Sequence, residues 1–158
     1  MSADGFDPTD STVRHVLTDY QLDTVVGLQG VIARAIAQQV HSPDKRLQIA
    51  RHGGVMLLQS PTASGKTLML GRTLEGLVGK LERKTVWFWF APYSGLIDQT
   101  VEALSEQCPG LRLRDATRDR EPGLARDGDV FVNTWGAVAA NNADARKLRR
   151  TTEDTYSL

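Results

Sequence analysis

Apolar and polar positions recur along this chain with two different periods. Between Gln21 and Val40, Leu22, Val25, Val26, Ile32, Ile36 and Val40 fall mostly at helical intervals. The spacing predicts a helix over 21–40, weakened locally by Gly27 and Gly30. Ser42-Pro43, within "HSPDKR", breaks that pattern with turn chemistry. After Gly53 and Gly54, Val55 to Leu58 form a short unbroken apolar run. Such a run predicts a strand buried on both faces, as in a parallel sheet.

Further on, "KTLMLGRTLEGLVGKLE" returns to helical spacing at Leu68, Leu70, Leu74, Leu77, Val78 and Leu81, predicting a helix over 66–82. "KTVWFWFAP" is rich in β-branched and aromatic residues and is stopped by Pro92, which predicts a second strand. "SGLIDQTVEALSEQC" predicts a helix with Leu96, Ile97, Val101 and Leu104 on one stripe and Ser94 as its N-cap. "LRLRDA" reads as a third strand with Leu111 and Leu113 facing in, "TRDREPGLARDG" as a charged loop, and "DVFVNTW" as a fourth strand. The tail "NNADARKLRRTTEDTYSL" is polar and reads as a solvated helix or a disordered end. Strands alternating with helices predict an α/β fold with a mainly parallel sheet flanked by helices. There is no internal repeat and no low-complexity block.

Composition narrows this picture. A chain of 158 residues suggests one domain. A chain of this size buries about 68–70% of its unfolded surface, enough for one solid core. The expected division is a flexible tail over 1–12, a domain over 13–140, and a polar tail or truncated continuation over 141–158. The formal net charge of zero gives no compositional sign of a polyanion binder, although local basic clusters remain. A single cysteine, Cys108, leaves no internal disulfide framework and suits a reducing, cytoplasmic setting. It reads as a thiol near a helix end. No run approaches the ~20 apolar residues of a membrane span. The acidic start "MSADGFDPTD" lacks the basic and apolar regions of a signal peptide.

The candidate chemistry lies in "VMLLQSPTASGKTLML". A phosphate-binding loop needs Gly, four residues, then Gly-Lys-Thr or Gly-Lys-Ser between a strand and a helix. Gly65, Lys66 and Thr67 are present, and Ser60 stands in place of the first glycine. Backbone N–H groups over Thr62, Ala63, Ser64 and Gly65 can curl around a phosphate, and the following helix adds its positive end. Lys66 would reach the β- and γ-phosphates of ATP, and Thr67 would supply a hydroxyl to Mg2+.

"SPTASGKT" resembles the first motif of superfamily two DEAD/DEAH-box helicases and translocases, whose usual form is Ala/Ser-Pro-Thr-Gly-x-Gly-Lys-Thr. Ala63 replaces the usual middle glycine. Three further segments resemble family blocks in the same order. "LTDYQLDTVVGLQG" resembles the adenine-reading motif, which makes Gln21 the candidate for the adenine edge and lets Tyr20 stack or pack. "WFWFAPYSGLIDQTVEAL" resembles the block that touches the nucleic-acid backbone, making Ser94 and Gln99 candidates. "GDVFVNTWGAV" resembles a strand ending in a phosphate-contacting threonine, the place of Thr134, with Asn133 and Trp135 beside it. The similarity covers roughly 14–140 and looks most like the helicase subunit of type III restriction enzymes. It implies a RecA-like P-loop NTPase fold, ATP and Mg2+ as cofactors, nucleic acid (DNA expected) as partner, and associated nuclease or methylase subunits.

Simpler readings stand beside each candidate. Gln21 also suits an ordinary helix start, while Ser94 and Gln99 suit a cap and a solvated helix residue. Trp87 and Trp89 read as core packing rather than base-stacking residues. The arginines of "LRLRDATRDREPGLAR" read as a solvated loop, because Asp115, Asp119 and Glu121 interleave with them, and "ARKLRR" reads the same way.

Hydrolysis needs a carboxylate on magnesium and a group that orients water. In the resembled family both come from an apolar strand ending in Asp-Glu, and no such strand follows Thr67. Asp127 and Asp129 lie at the wrong end of "DVFVNTW" for a site at the carboxyl edge of a sheet. The expectation is therefore the amino-terminal part of a motor, binding nucleotide weakly without turnover. An incomplete sheet should leave a gap or an exposed apolar edge, with marginal stability or self-association. Two other classes share features. tRNA isopentenyltransferases also carry "PTASGKT", but near the chain start and followed by an Asp-Ser pair. A non-catalytic nucleotide-binding or interaction module is the other.

Overall fold

In the computed structural model, which describes residues 14–115 and 125–136, the first helix, α1, spans Asp19–His41. Its start is fixed by a capping box. The Thr18 hydroxyl accepts from Gln21 N and the Gln21 side chain accepts from Thr18 N, while Asp19 suits the positive end of the helix. Only Val25 is buried, and Leu22 and Val26 are 50% and 59% exposed, so the apolar stripe read from the sequence is not a core face.

A 3-10 turn over Pro43–Lys45 leads into a second helix, α2, over Arg46–Gly53, which the sequence pattern did not signal. Its polar sequence offers almost no apolar stripe, and Leu47 points largely into solvent. The strand expected at Val55–Leu58 is not formed. Residues 55–60 join no ladder, and Val55 and Leu57 are 87% and 90% exposed. A strand exists through its ladder bonds, and the described strands pair with one another, leaving this run no partner.

Helix α3 spans Lys66–Leu77 and stops short of the expected Glu82. The chain turns there because Gly79 adopts φ +70 and gives its N–H to Asp127 Oδ2 at 2.9 Å. The other carboxylate oxygen of Asp127 accepts from Thr85 N at 2.8 Å. One acid thus ties the end of α3 to the lead of the first strand.

Strand β1 spans Trp87–Ala91, helix α4 Ser94–Gln107, strand β2 Arg112–Asp115 and strand β3 Asp129–Thr134. The molecule is α/β. Its described sheet has three strands in the order β1-β3-β2, all parallel, with Trp87 beside Val130, Ala91 beside Thr134, and Leu113 beside Val130. The strand period of two sorts the aromatics of β1. Trp87 and Trp89 pack on one face with Val130, Val132, Leu104, Cys108 and Leu111, joined by Leu74 and Val78. Phe88 packs on the opposite face with Phe131, Ala125 and Val86. Helix α4 begins one residue earlier in role than expected: Tyr93 is the N-cap, without a side-chain bond, and Ser94 is the first helical residue. The extended backbone of Tyr93, at φ −147 and ψ 161, puts it at the half-in position.

The expected tails, the "ARKLRR" segment and most of the charged loop lie outside the described residues. Among the described residues no helix is long and apolar enough to cross a membrane.

Candidate functional site

The loop from Ser60 to Gly65 delivers the chain into α3. Gly65 is the N-cap at φ +81, a left-handed conformation that favours glycine. A β-carbon there would also lie 2.7 Å from Gln21 Nε2 and would displace that amide. Ala63 also has positive φ, at 60, and is alone in this among described non-glycine residues. That is the position where the resembled motif carries glycine. Ser64 N donates to Pro61 O at 3.3 Å and tightens the turn. No side chain caps α3, so the N–H groups of its first turn and the positive end of its dipole face the loop without a side-chain acceptor.

Lys66 folds over its own loop. Its ammonium donates to Ser60 O at 2.9 Å and to Pro61 O at 2.7 Å, which uses two of its three donors. Thr67 sits half-buried in the first turn of α3, and its hydroxyl has no hydrogen-bond partner among the described residues. Thr62 is exposed.

Gln21 reaches this loop from the first turn of α1. Its Nε2 donates to Ser64 O at 3.0 Å, and its Oε1 accepts from Thr18 N at 3.0 Å. Gln21 therefore starts a helix, as its simpler reading has it, and also touches the backbone of the loop that leads into α3. An amide carries two N–H donors and two acceptor lone pairs, so one of each remains. The neighbouring Tyr20 is 52% exposed, and its hydroxyl lies 3.1 Å from Ser60 Oγ. Ser60 Oγ in turn donates to Ser64 Oγ. The pairing of Tyr20 with Ser60 is a contact that sequence reasoning missed. No spacing rule links residues forty apart.

Among the described residues around this loop, Thr67 is the one that would hold magnesium. Among the described residues no acidic side chain bonds to residues 60–67, and no cluster of three or more His, Cys, Asp or Glu could hold a metal.

The other candidates form a separate group at the carboxyl edge of the sheet. Thr134 ends β3 opposite Ala91, and its N–H donates to Asn133 Oδ1 at 2.7 Å. Ser94 opens α4 three residues after Ala91, and Gln99 is exposed in the second turn. Trp135 is 63% exposed and meets Phe90 edge-on, with ring centroids 5.3 Å apart.

Among the described residues of the arginine-rich stretch, Arg112 and Arg114 meet Asp129 in one ion-pair group, and the remainder, 116–124, lies outside the described residues. Asp129 is fully buried at the amino end of β3, accepting from Arg112 Nε at 2.6 Å, Arg112 Nη2 at 2.8 Å and Arg126 N at 2.9 Å. Arg114 approaches the same carboxylate at 3.5 Å and lies over the Phe131 ring. Arg112 and Arg114 therefore belong to an internal ion-pair group, neither a solvated loop nor a phosphate-tracking patch. Cys108 caps the end of α4 and is buried; burial, and then the Glu75 carboxylate, push its thiol up to about 11.

No protein-family model, no curated protein and no solved structure matches the chain.

Proposed function

We propose that Ser60–Thr67 binds the phosphates of ATP with magnesium, and that the chain contributes this site to an ATP-driven motor acting on nucleic acid, with DNA as the expected strand. The observation that carries this reading is the Gln21 amide on the backbone of the phosphate loop, bonded to Ser64 O at 3.0 Å. A base-reading amide and a phosphate cradle are useful together only if one ligand spans both. Gln21 keeps one donor and one acceptor for an adenine edge. The N–H groups of Thr62, Ala63, Gly65 and the first turn of α3 supply donors for phosphate oxygens, while the Ser64 N–H is held by Pro61 O. Lys66 shifts its ammonium from Ser60 O and Pro61 O to the phosphates, and Thr67 gives its hydroxyl to the metal. Bound magnesium neutralises charge on the phosphate oxygens. Ser94 and Thr134 are assigned to the nucleic-acid strand because Ser94 follows the carboxyl end of β1 and Thr134 ends β3, and Gln99 by the resemblance alone.

The reading includes binding without appreciable turnover by this chain, because residues 68–158 hold no apolar strand ending in Asp-Glu. The test is calorimetric titration of the full chain with MgATP. Binding that Lys66→Ala weakens at least tenfold, at an unchanged melting temperature, supports the reading. Absence of binding, or equal binding by Lys66→Ala, overturns it. Robust ATP hydrolysis abolished by Lys66→Ala would overturn the part concerning turnover.

A further inference from the structure

We infer that Tyr20 is a positioning residue for the phosphate end of this site, acting through a directed chain of hydroxyls that ends on Ser64; the inference rests on the nucleotide reading above. Three hydroxyls stand in sequence: Tyr20 Oη lies 3.1 Å from Ser60 Oγ, and Ser60 Oγ donates to Ser64 Oγ. A serine hydroxyl has one hydrogen and two acceptor lone pairs. Ser60 gives its hydrogen to Ser64, so Tyr20 must supply its own hydrogen to Ser60. The direction is thereby fixed from Tyr20 through Ser60 to Ser64. Ser64 then receives a hydrogen bond and keeps its own hydrogen for a further acceptor. Hydroxyls in such a chain polarise one another, which strengthens the last donor.

That last donor lies in the loop that cradles the phosphates. Ser64 immediately precedes Gly65 and Lys66, and its carbonyl is already held by Gln21 Nε2. Its hydroxyl is thus the part of Ser64 left to meet a phosphate oxygen. Ser60 is also tied to the lysine, because Ser60 O accepts from Lys66 Nζ. Two adjacent residues of α1 therefore hold the two serines of the loop: Tyr20 at its head and Gln21 at its tail. The sequence suggested that Tyr20 stacks or packs. The hydroxyl contact gives its oxygen a role distinct from that of its ring.

The two roles separate by experiment. The full chain and its Tyr20→Phe, Tyr20→Ala, Ser64→Ala and doubly substituted Tyr20→Phe/Ser64→Ala forms are titrated with MgATP and with magnesium tripolyphosphate, which has no base. Tyr20→Phe should weaken both ligands by the same factor, about three- to tenfold, the size of one lost hydrogen bond. Ser64→Ala should match it, and the double variant should bind no worse than Ser64→Ala, since one chain cannot be broken twice. Tripolyphosphate binding by Tyr20→Ala should equal that by Tyr20→Phe. Wild-type affinity in Tyr20→Phe, with loss of ATP alone in Tyr20→Ala, would show a stacking ring and overturn the proposal. Additive losses in the double variant would overturn it as well. If the unaltered chain binds neither ligand, the nucleotide reading falls and this inference with it. If it binds and Lys66→Ala abolishes binding while Tyr20→Phe changes nothing, this inference alone falls.

Discussion

The Gln29 side-chain amide occupies the space that a β-carbon on residue 76 would need, and it donates from there to the carbonyls of Arg72 at 3.3 Å and Thr73 at 3.4 Å. A glutamine of α1 is seated on a glycine of α3. The same device recurs eight residues earlier in α1, where Gln21 lies against Gly65. Both contacts join α1 to α3 and its N-cap, beside the buried Val25.

Gly76→Ala should therefore behave unlike an ordinary helical Gly→Ala change. Alanine favours a helix over glycine by up to about 1 kcal/mol. At Gly76 the gain is offset, since the amide must swing away and lose bonds worth about 1 kcal/mol. The expected result is little net change. In a Gln29→Ala background the same substitution should be more favourable by about 1 kcal/mol. Gly30→Ala, with nothing within 4 Å of its β-carbon position, should show the ordinary gain. Urea denaturation of the four variants and the unaltered chain checks all three statements.

The loop offers a paired test of opposite substitutions. Gly65 at φ +81 cannot take a β-carbon without backbone strain and displacement of Gln21. Gly65→Ala should cost about 1–2 kcal/mol, the scale of a left-handed residue. Ala63 at φ 60 already bears such strain. Ala63→Gly relieves it but adds unfolded-state freedom worth about 0.4–1 kcal/mol. Its stability should stay within about 1 kcal/mol of the parent. Thermal melts read both effects. MgATP titration should show Gly65→Ala binding more weakly than Ala63→Gly.

Strands and helices with strong periodicity were legible before any coordinates. The alternation of Trp87, Phe88 and Trp89 and the stripe residues Ile97, Val101 and Leu104 carry their burial in their spacing and appear in the core, whereas Phe90 is exposed and Leu96 only half-buried. Helix α2 was not legible, because "RLQIARHG" has no sustained apolar period and little burial. Val55–Leu58 misled for the opposite reason. Its composition suits a buried strand, but burial requires a neighbour, which a local run cannot report. At the site, Gly65, Lys66 and Thr67 were readable because their order is local. The resemblance directed Gln21 to an adenine edge and not to the loop, so its bond to Ser64 O, like Tyr20 on Ser60, depended on the fold itself.

Asp129 is expected to serve folding and not nucleotide binding. Its buried carboxylate accepts from two Arg112 nitrogens and from the Arg126 backbone, at the amino end of β3. Removing one side of such a buried group costs about 3–5 kcal/mol. Asp129→Ala should lower the denaturation midpoint by that amount, with Asp129→Asn less severe. If either variant stays folded, its MgATP affinity should equal that of the parent.

Cys108 gives a pH signature. Its folded thiol titrates at about 11 against an ordinary value of 9.0, raised by burial first and Glu75 second. The fold thus favours the neutral thiol. That stabilisation is complete below about pH 9 and is lost as pH rises toward 11, a change of about 2–3 kcal/mol. Cys108→Ala should flatten the fall in stability over this interval, whatever its effect at neutral pH. At pH 7.5 the thiol should react with a maleimide far more slowly than a free thiol does, and at the free rate once the chain is unfolded.

The exposed run beside the phosphate loop should make the protein associate. Val55 and Leu57 are 87% and 90% exposed, Met56 is 42% exposed, and the segment has no strand partner among the described residues. A backbone segment without ladder partners that carries apolar side chains is a template for pairing with another chain. Sedimentation velocity should show an average mass rising with concentration. Leu57→Lys should suppress that rise, because a charge at an edge blocks further pairing. The same substitution should shift stability by no more than about 0.5 kcal/mol, since it removes little buried area. A concentration-independent monomer in the unaltered chain would show that the segment is not such a template. A large loss of stability in Leu57→Lys would show that Leu57 is buried in solution.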